Sequence, residues 1–155
     1  MRLFIATPVN FPLYGFVKSK LSKYIKGKWV EGWNLHLTHK FIGEGDAEDF
    51  KFGLEIPNED IEISGLEILG GRILYMKAHS PNISVINTQI NQKLNLQNEK
   101  PFLPHVTLCR IKEFDKKVFD ELKNINIGFK VPFEVYLYKS TLTKKGPIYE
   151  KIYKY

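Results

Sequence analysis

Two segments, HLTHKFIGEGDAEDF at residues 36–50 and HVTLCRIKEFDKKVF at residues 105–119, resemble each other along their length. Each begins with a strand-like stretch that carries a histidine and, two positions later, a threonine. Each continues through a polar break into a short helical pattern. Self-similarity of this kind indicates an internal repeat, so we predict that the fold is built from two related halves.

The rest of the chain supplies strands and helices around these segments. Apolar periodicity, turn residues and capping residues predict the following order: strand Arg2–Thr7, helix Leu13–Gly27, strand Leu35–Gly43, acidic helix Asp46–Phe52, hairpin strands Ile61–Leu69 and Arg72–Ala78 around Gly70 and Gly71, a helix from Ser80 and Pro81 to Leu94, strand Phe102–Ile111, helix Asp115–Lys123, and strands Phe129–Ser140 and Pro147–Tyr155.

This order predicts an α+β fold with two pseudo-symmetric lobes, each an antiparallel sheet backed by helices, with a central cleft between them. The 155 residues are enough for one domain with its own core. No flexible linker divides the chain, so we predict a single domain over 1–155. The lobes are expected at roughly 1–75 and 76–155, and an exchange of terminal strands between them is left open.

The two His-x-Thr tripeptides are the candidate site. Residues i and i+2 of a strand project to the same face, so His36 lies beside Thr38, and His105 beside Thr107. An imidazole can take or give a proton near neutral pH, and a threonine hydroxyl can donate to a phosphate oxygen. A single strand histidine is more often structural, but the same tripeptide in both halves favours a two-histidine site for acid and base catalysis.

Composition narrows the class of protein and its partners. Cys109 is the only cysteine, so the chain has no intramolecular disulfide, which suits a cytoplasmic protein. No apolar run is long enough for a signal peptide or a membrane span. The net charge is +6; residues 1–75 carry 9 Lys and Arg against 10 Asp and Glu, and residues 76–155 carry 14 against 7. The basic second half is compatible with a polyanionic partner such as RNA.

Three segments, HLTHKFIG, FLPHVTLCR and the C-terminal LYKSTLTKKGPIYE, resemble the signature segments of the two-histidine phosphoesterase superfamily. Within it, the chain is most similar to the bacterial and archaeal RNA 2′,3′-cyclic phosphodiesterases, also called 2′-5′ RNA ligases. The resemblance implies that RNA 2′,3′-cyclic phosphate ends are hydrolysed to 2′-phosphomonoesters. It also implies a metal-independent site and reversible 2′-5′ ligation of certain RNA halves. We further expect a monomer with no cofactor, with tRNA fragments among its RNA partners.

The same resemblance assigns the roles of the four residues. His36 would donate a proton to the departing 3′-oxygen, and His105 would accept the proton of the attacking water. Thr38 and Thr107 would bind the non-bridging oxygens of the phosphate. Because the two tripeptides are nearly symmetric, the residues themselves do not say which histidine is the acid.

Four neighbouring residues have competing interpretations. His39 could suggest a metal site with His36, but residues i and i+3 lie on opposite faces of a strand, so a structural histidine is favoured. Lys40 shares the parity of His36, although a solvent-exposed lysine is favoured. By strand parity Cys109 should face the cleft, and Arg110 should face away from it unless a bulge turns it.

Two alternative functions remain open at this point. The first keeps the site and changes the substrate to another cyclic nucleotide or to a 2′-5′ oligonucleotide. The second is an RNA-binding module without catalytic activity, which the lysine excess would serve equally well. This second alternative leaves the repeated His-x-Thr unexplained.

Overall fold

The computed structural model describes all 155 residues, which form an α+β fold with one antiparallel sheet of nine strands and three α-helices. The strands are β1 Arg2–Pro8, β2 Ile25–Trp29, β3 His36–Glu44, β4 Asp60–Leu69, β5 Ile73–His79, β6 His105–Phe114, β7 Gly128–Pro132, β8 Tyr136–Thr143 and β9 Gly146–Lys154. The helices are α1 Tyr14–Leu21, α2 Val85–Leu94 and α3 Val118–Asn124. None of them is long and apolar enough to cross a membrane.

The sheet divides into two lobes, one on each side of the junction between β3 and β6. The order is β7-β4-β5-β6-β3-β1-β8-β9, with β2 added beside β6. Only the pairing of Leu37 with Val106 joins β3 to β6 in the middle. The predicted α+β class with two pseudo-symmetric antiparallel lobes is therefore confirmed, and each lobe takes strands from both halves of the chain. The assignment of one domain to residues 1–155 stays a prediction.

Helices cover the sheet and complete the core, which holds a cluster of 26 buried apolar residues. Helix α2 packs on β3, and its Asn87 donates a hydrogen bond to the His39 carbonyl at 2.8 Å. Helix α1 packs against α3 and contacts the other lobe, because the Tyr14 hydroxyl donates to the Leu108 carbonyl of β6 at 3.1 Å. Each of these two helices therefore follows a strand of one lobe and contacts the other, which ties the lobes together.

The β4–β5 hairpin forms where the sequence predicts it. Gly70 and Gly71 have φ angles of 58° and 69°, and the Arg72 amide donates to the Leu69 carbonyl at 3.0 Å. Positive φ at both central residues defines a type I′ turn, whose twist matches that of the strands. Glycine adopts this conformation without a steric penalty.

The predicted helix Leu13–Gly27 is wrong in its second half. The helix ends at Leu21, and Ile25–Trp29 form β2, which pairs with the C-terminal part of β6. Gly27 permits this close pairing, since a Cβ atom there would overlap the carbonyl oxygen of Arg110. The apolar spacing alone did not reveal this strand, because β2 places only Ile25 fully in the core.

Other predicted elements differ from the structure in their bounds or type. The predicted strand Phe129–Ser140 is two strands, β7 in one lobe and β8 in the other, which pair with β4 and β1. The acidic helix is only a 3₁₀ turn at Ala47–Phe50. Helix α2 begins at Val85, after a turn that contains Ser80 and Pro81.

Candidate active site

A cleft opens where β3 and β6 meet, and it contains both predicted tripeptides. Its volume is about 640 Å³. Its lining includes the four side chains singled out from the sequence: His36, Thr38, His105 and Thr107. The structure therefore brings together residues that lie almost seventy positions apart in the sequence.

The central pairing of Leu37 with Val106 explains this convergence. Both side chains are fully buried, so their neighbours along each strand must point to the opposite face, into the cleft. In antiparallel register, the residue before one partner lies across from the residue after the other. Each histidine is thus placed across from the threonine of the other strand, and a local two-fold axis relates the two tripeptides.

The two imidazoles share one hydrogen-bonding arrangement. His36 Nδ1 lies 2.6 Å from the Asn34 carbonyl oxygen, and His105 Nδ1 lies 2.6 Å from the Leu103 carbonyl oxygen. A carbonyl can only accept, so Nδ1 carries the proton in both rings. The Nε2 atom of each ring is then left to take or give a proton.

Aromatic rings hold the two histidines in place. His36 lies 5.0 Å from Phe4 and 5.2 Å, edge to face, from Tyr149, measured between ring centroids. His105 lies 5.6 Å from Tyr75, also edge to face. The Tyr75 hydroxyl donates to Glu67 at 2.8 Å, which fixes that ring in turn. These contacts restrict the direction of both imidazoles before any ligand binds.

Burial lowers the pKa of His36 below its ordinary value. The hydrogen bond to the Asn34 carbonyl opposes the shift, and the charges of His105 and Arg110 add to it. His36 is therefore mainly neutral at pH 7 in the free protein. An anion bound in the cleft would favour its protonated form.

A bulge in β6 corrects two expectations from strand parity. Leu74 pairs with Cys109 and Tyr75 with Thr107, so Leu108 is an extra residue. Leu108 and Cys109 are consequently both fully buried, and Arg110 turns to the cleft, which it lines. The expectation that Cys109 faces the cleft is wrong. Two apolar residues in succession within an alternating strand are the pattern that reveals the bulge.

Strand β3 has a bulge at the equivalent position. Ala6 pairs with Thr38 and Ile5 with Lys40, so His39 is the extra residue. Lys40 then turns away from the cleft, and its Nζ donates to Asn98 Oδ1 at 3.0 Å. The prediction that Lys40 and His36 point to the same side of β3 is therefore wrong. The cause is a bulge, as it is for Cys109 in β6. Phe41 takes the position in β3 that Arg110 has in β6, and it also lines the cleft.

His39 belongs to the core. Its exposed fraction is 1%, its ring stacks on Phe133 at 5.6 Å, and its Nε2 lies 2.7 Å from Thr7 Oγ1. The Thr7 hydroxyl proton is directed at the Glu134 carbonyl, so His39 Nε2 donates and Nδ1 is left without a partner. Burial lowers the pKa of His39 to about 3. His36 and His39 thus point to opposite faces, as parity predicted.

The cleft is rich in positive charge. Arg2, Lys28, Arg110 and Lys145 line it, together with one carboxylate, that of Glu31. Lys28 and Arg110 are directly paired across β2 and β6, and neither has an acidic partner within 4.0 Å. Like charges opposite each other cost stability in a sheet, so this arrangement is suited to an anion. No group of three or more His, Cys, Asp or Glu side chains could hold a metal ion.

Solved structures share this fold along the whole chain. A protein of Thermus thermophilus superposes with a TM-score of 0.78 at 22% identity, covering 100% of this chain and 97% of the other. E. coli LigT in its apo form has a TM-score of 0.73 at 22% identity, with 99% and 95% covered. The fold is therefore that of the LigT-like phosphoesterases.

Sequence comparison gives the family. Residues 74–149 match the model described as LigT like Phosphoesterase. The RNA 2′,3′-cyclic phosphodiesterase of Methanocaldococcus jannaschii is 36% identical, with 98% of both chains covered. That of Aquifex aeolicus is 33% identical, with 86% of this chain and 83% of the relative covered. The chain belongs to the LigT-like phosphoesterase family, which confirms the resemblance seen in the three sequence segments.

Proposed function

We propose that this protein hydrolyses RNA 2′,3′-cyclic phosphate ends to 2′-phosphomonoesters, with its own side chains as the only acid and base. The observation that carries the proposal is the pair of imidazoles from adjacent strands, each with Nδ1 bonded to a carbonyl and Nε2 left for proton transfer. The names of the curated relatives supply the substrate class.

The proposed reaction is an in-line displacement at phosphorus. His105 Nε2 takes a proton from water, whose oxygen forms the new bond to phosphorus. The bond from phosphorus to the 3′-oxygen breaks, and His36 Nε2 gives that oxygen its proton, while the bond to the 2′-oxygen is kept. Two lobes suit this chemistry because the attacking and departing oxygens lie on opposite sides of phosphorus. Each proton transfer is worth about 10²- to 10⁴-fold in rate.

The acid role of His36 depends on the substrate's own charge. Because burial lowers its pKa, His36 needs a nearby anion to be protonated at neutral pH. The cyclic phosphate is such an anion, and it would lie between the two rings. Thr38 and Thr107 are proposed to donate hydrogen bonds to its non-bridging oxygens, and Arg110 to neutralise part of its charge.

Attack by the 5′-hydroxyl of a second RNA in place of water would give 2′-5′ ligation at the same site. His105 would take the proton of that hydroxyl, and His36 would give one to the departing 3′-oxygen. Cleavage of the 2′-5′ bond would run these steps in reverse, with the histidines exchanging roles. The proposed substrate is RNA, including tRNA fragments, and a monomer without metal or cofactor remains our prediction. Cytoplasmic residence, inferred from the single cysteine, also remains a prediction.

The test is turnover of a short RNA with a 2′,3′-cyclic phosphate end in the presence of chelator. Wild type should open the cyclic phosphate, and His36→Ala and His105→Ala should each lose about 10²- to 10⁴-fold. His79→Ala is the matched control, because His79 is exposed at the far end of β5 and outside the cleft. Near wild-type turnover in either cleft variant, or RNA binding with no turnover in wild type, would contradict the proposal.

A further inference from the structure

A second pocket adjoins the cleft on the His36 side. Its volume is about 340 Å³, and it shares three lining residues with the cleft: Asn34, His36 and Tyr149. It includes no residue of β6, so it lies wholly beside the His36 lobe. The remaining lining residues include Pro8, Trp33, Tyr138 and Lys151, so the pocket is largely aromatic and carries one positive charge.

Trp33 is the unexplained side chain of this pocket. Its exposed fraction is 83%. At the edge of a pocket, such an indole offers an apolar face on which a planar ligand can stack. The backbone beneath it is fixed, since the Asn34 amide donates to the Glu31 carbonyl at 2.8 Å and Asn34 Nδ2 donates to the Pro147 carbonyl at 3.1 Å. The indole is thus presented from a rigid turn.

The reaction geometry says which part of the substrate reaches this pocket. In the proposed function, on which this inference rests, His36 gives its proton to the departing 3′-oxygen. That oxygen belongs to the ribose of the terminal nucleotide, so the ribose and its base must lie on the His36 side of phosphorus. The side of β6 is left for water, and it is lined by two cationic groups, Lys28 and Arg110.

We propose that the pocket beside His36 binds the nucleobase of the terminal nucleotide, which stacks on the indole of Trp33. Aromatic rings accept any base by stacking, so the subsite would recognise a nucleoside without demanding one sequence. Trp33 would be a binding residue that touches the base and takes no part in proton transfer.

Two cyclic phosphate substrates, one with a nucleobase and one without, distinguish binding of the base from reaction at the phosphate. Trp33→Ala should lower kcat/KM for adenosine 2′,3′-cyclic phosphate about 10-fold, within the range for losing one base–aromatic stack. It should leave methyl riboside 2′,3′-cyclic phosphate, which has no base, unchanged. Trp33→Phe should keep most of the activity on adenosine. Phe16→Ala is the control, because Phe16 is 50% exposed on α1 and lies outside both pockets.

Three results would overturn the inference while the proposed function stands: equal losses on both substrates, no loss on either, or a loss only with a longer RNA. The last would place the preceding nucleotide on Trp33. A binding measurement covers the case in which wild type turns over neither substrate. Adenosine 2′-monophosphate should quench the tryptophan fluorescence of wild type, and methyl riboside 2-phosphate should not. Unchanged quenching in Trp33→Phe would contradict the subsite without reference to catalysis.

Discussion

The cleft histidines have the same hydrogen-bonding state but different surroundings. Both direct Nε2 away from their carbonyl partner, and burial lowers the pKa of His36. Activity that depends on one neutral and one protonated imidazole gives the same bell-shaped pH profile whichever ring is the acid. Removing one ring at a time distinguishes the two assignments.

The residual activity of His36→Ala should rise with pH. If His105 is the base, the remaining reaction needs an unprotonated imidazole there, and a base acts more effectively at higher pH. The residual activity of His105→Ala should instead fall as pH rises, because the remaining reaction needs the protonated form of His36, whose pKa burial lowers. The measurement is kcat/KM against pH for each variant. The opposite slopes would exchange the acid and base roles.

The buried His39 should make the free energy of unfolding depend on pH, independently of catalysis. Its pKa is about 3 in the folded chain and about 6.5 when unfolded, so between about pH 6.5 and pH 3 the unfolded state takes up a proton that the folded state does not. The free energy of unfolding should therefore fall as pH falls. The loss from this residue should reach roughly 2–3 kcal/mol by about pH 4.5.

His39→Leu should remove that share of the acid sensitivity. Urea unfolding of wild type and variant at pH 7 and at about pH 4.5 measures it, and the difference between the two proteins cancels the contribution of His36. His79 is exposed, so the free energy of unfolding of His79→Leu should depend on pH as it does in wild type. Parallel pH curves for wild type and His39→Leu would show that the buried ring is protonated in the folded state.

At the scale of elements, two β-bulges decide which side chains reach the cleft. Strand parity correctly predicted that the four side chains of the tripeptides lie on the same side, which faces the cleft. His36, Thr38, His105 and Thr107 all precede the bulges. It failed for Cys109 and Lys40, which follow them. A bulge depends on how the neighbouring strand pairs, so a single strand's sequence does not specify it. The adjacent apolar residues Leu108 and Cys109 were the one local indication.

Strand β2 was missed for a related reason. Its sequence, Ile25–Trp29, is short and lysine-rich, and it pairs only with β6, eighty or more residues away. The hairpin around Gly70 and Gly71 was predicted because its turn is determined locally. The turn was predictable because its own residues determine it, whereas the pairing of β2 with a distant strand was not.

Gly27 provides a test of that long-range pairing. Gly27→Ala should lower the free energy of unfolding by about 1–3 kcal/mol, because a Cβ there overlaps the Arg110 carbonyl and approaches the Ile111 backbone. Gly15→Ala is the matched control. Gly15 lies in α1 with nothing within 4 Å of the added Cβ, so its replacement should stabilise the chain by roughly 0.5–1 kcal/mol. Equal stability of Gly27→Ala and wild type would contradict the close approach of β2 to β6.

At the scale of the whole molecule, charge is concentrated where the two lobes face each other. The cleft holds four cationic side chains and one carboxylate, within a chain of net charge +6. Each contact between such a cation and a phosphate makes affinity depend on salt. Binding of RNA should therefore weaken as salt rises.

Arg110→Gln should reduce that salt dependence. The slope of log K against log salt for a short RNA should change by about 0.7–0.9 if Arg110 contacts one phosphate. Lys26→Gln is the control, since Lys26 is exposed and paired with Glu113 at 3.2 Å, outside the cleft. A salt slope unaltered by Arg110→Gln would mean that this guanidinium does not contact the RNA.

The position of the phosphate in the product tests the central claim most directly. A short RNA with a 2′,3′-cyclic phosphate end is incubated with wild type in chelator and in water enriched in ¹⁸O, and phosphorus NMR and mass spectrometry identify the product. Proton donation to the 3′-oxygen predicts a 2′-phosphomonoester that carries one ¹⁸O atom on phosphorus. A 3′-phosphomonoester, or a cyclic end left unopened, would contradict the account.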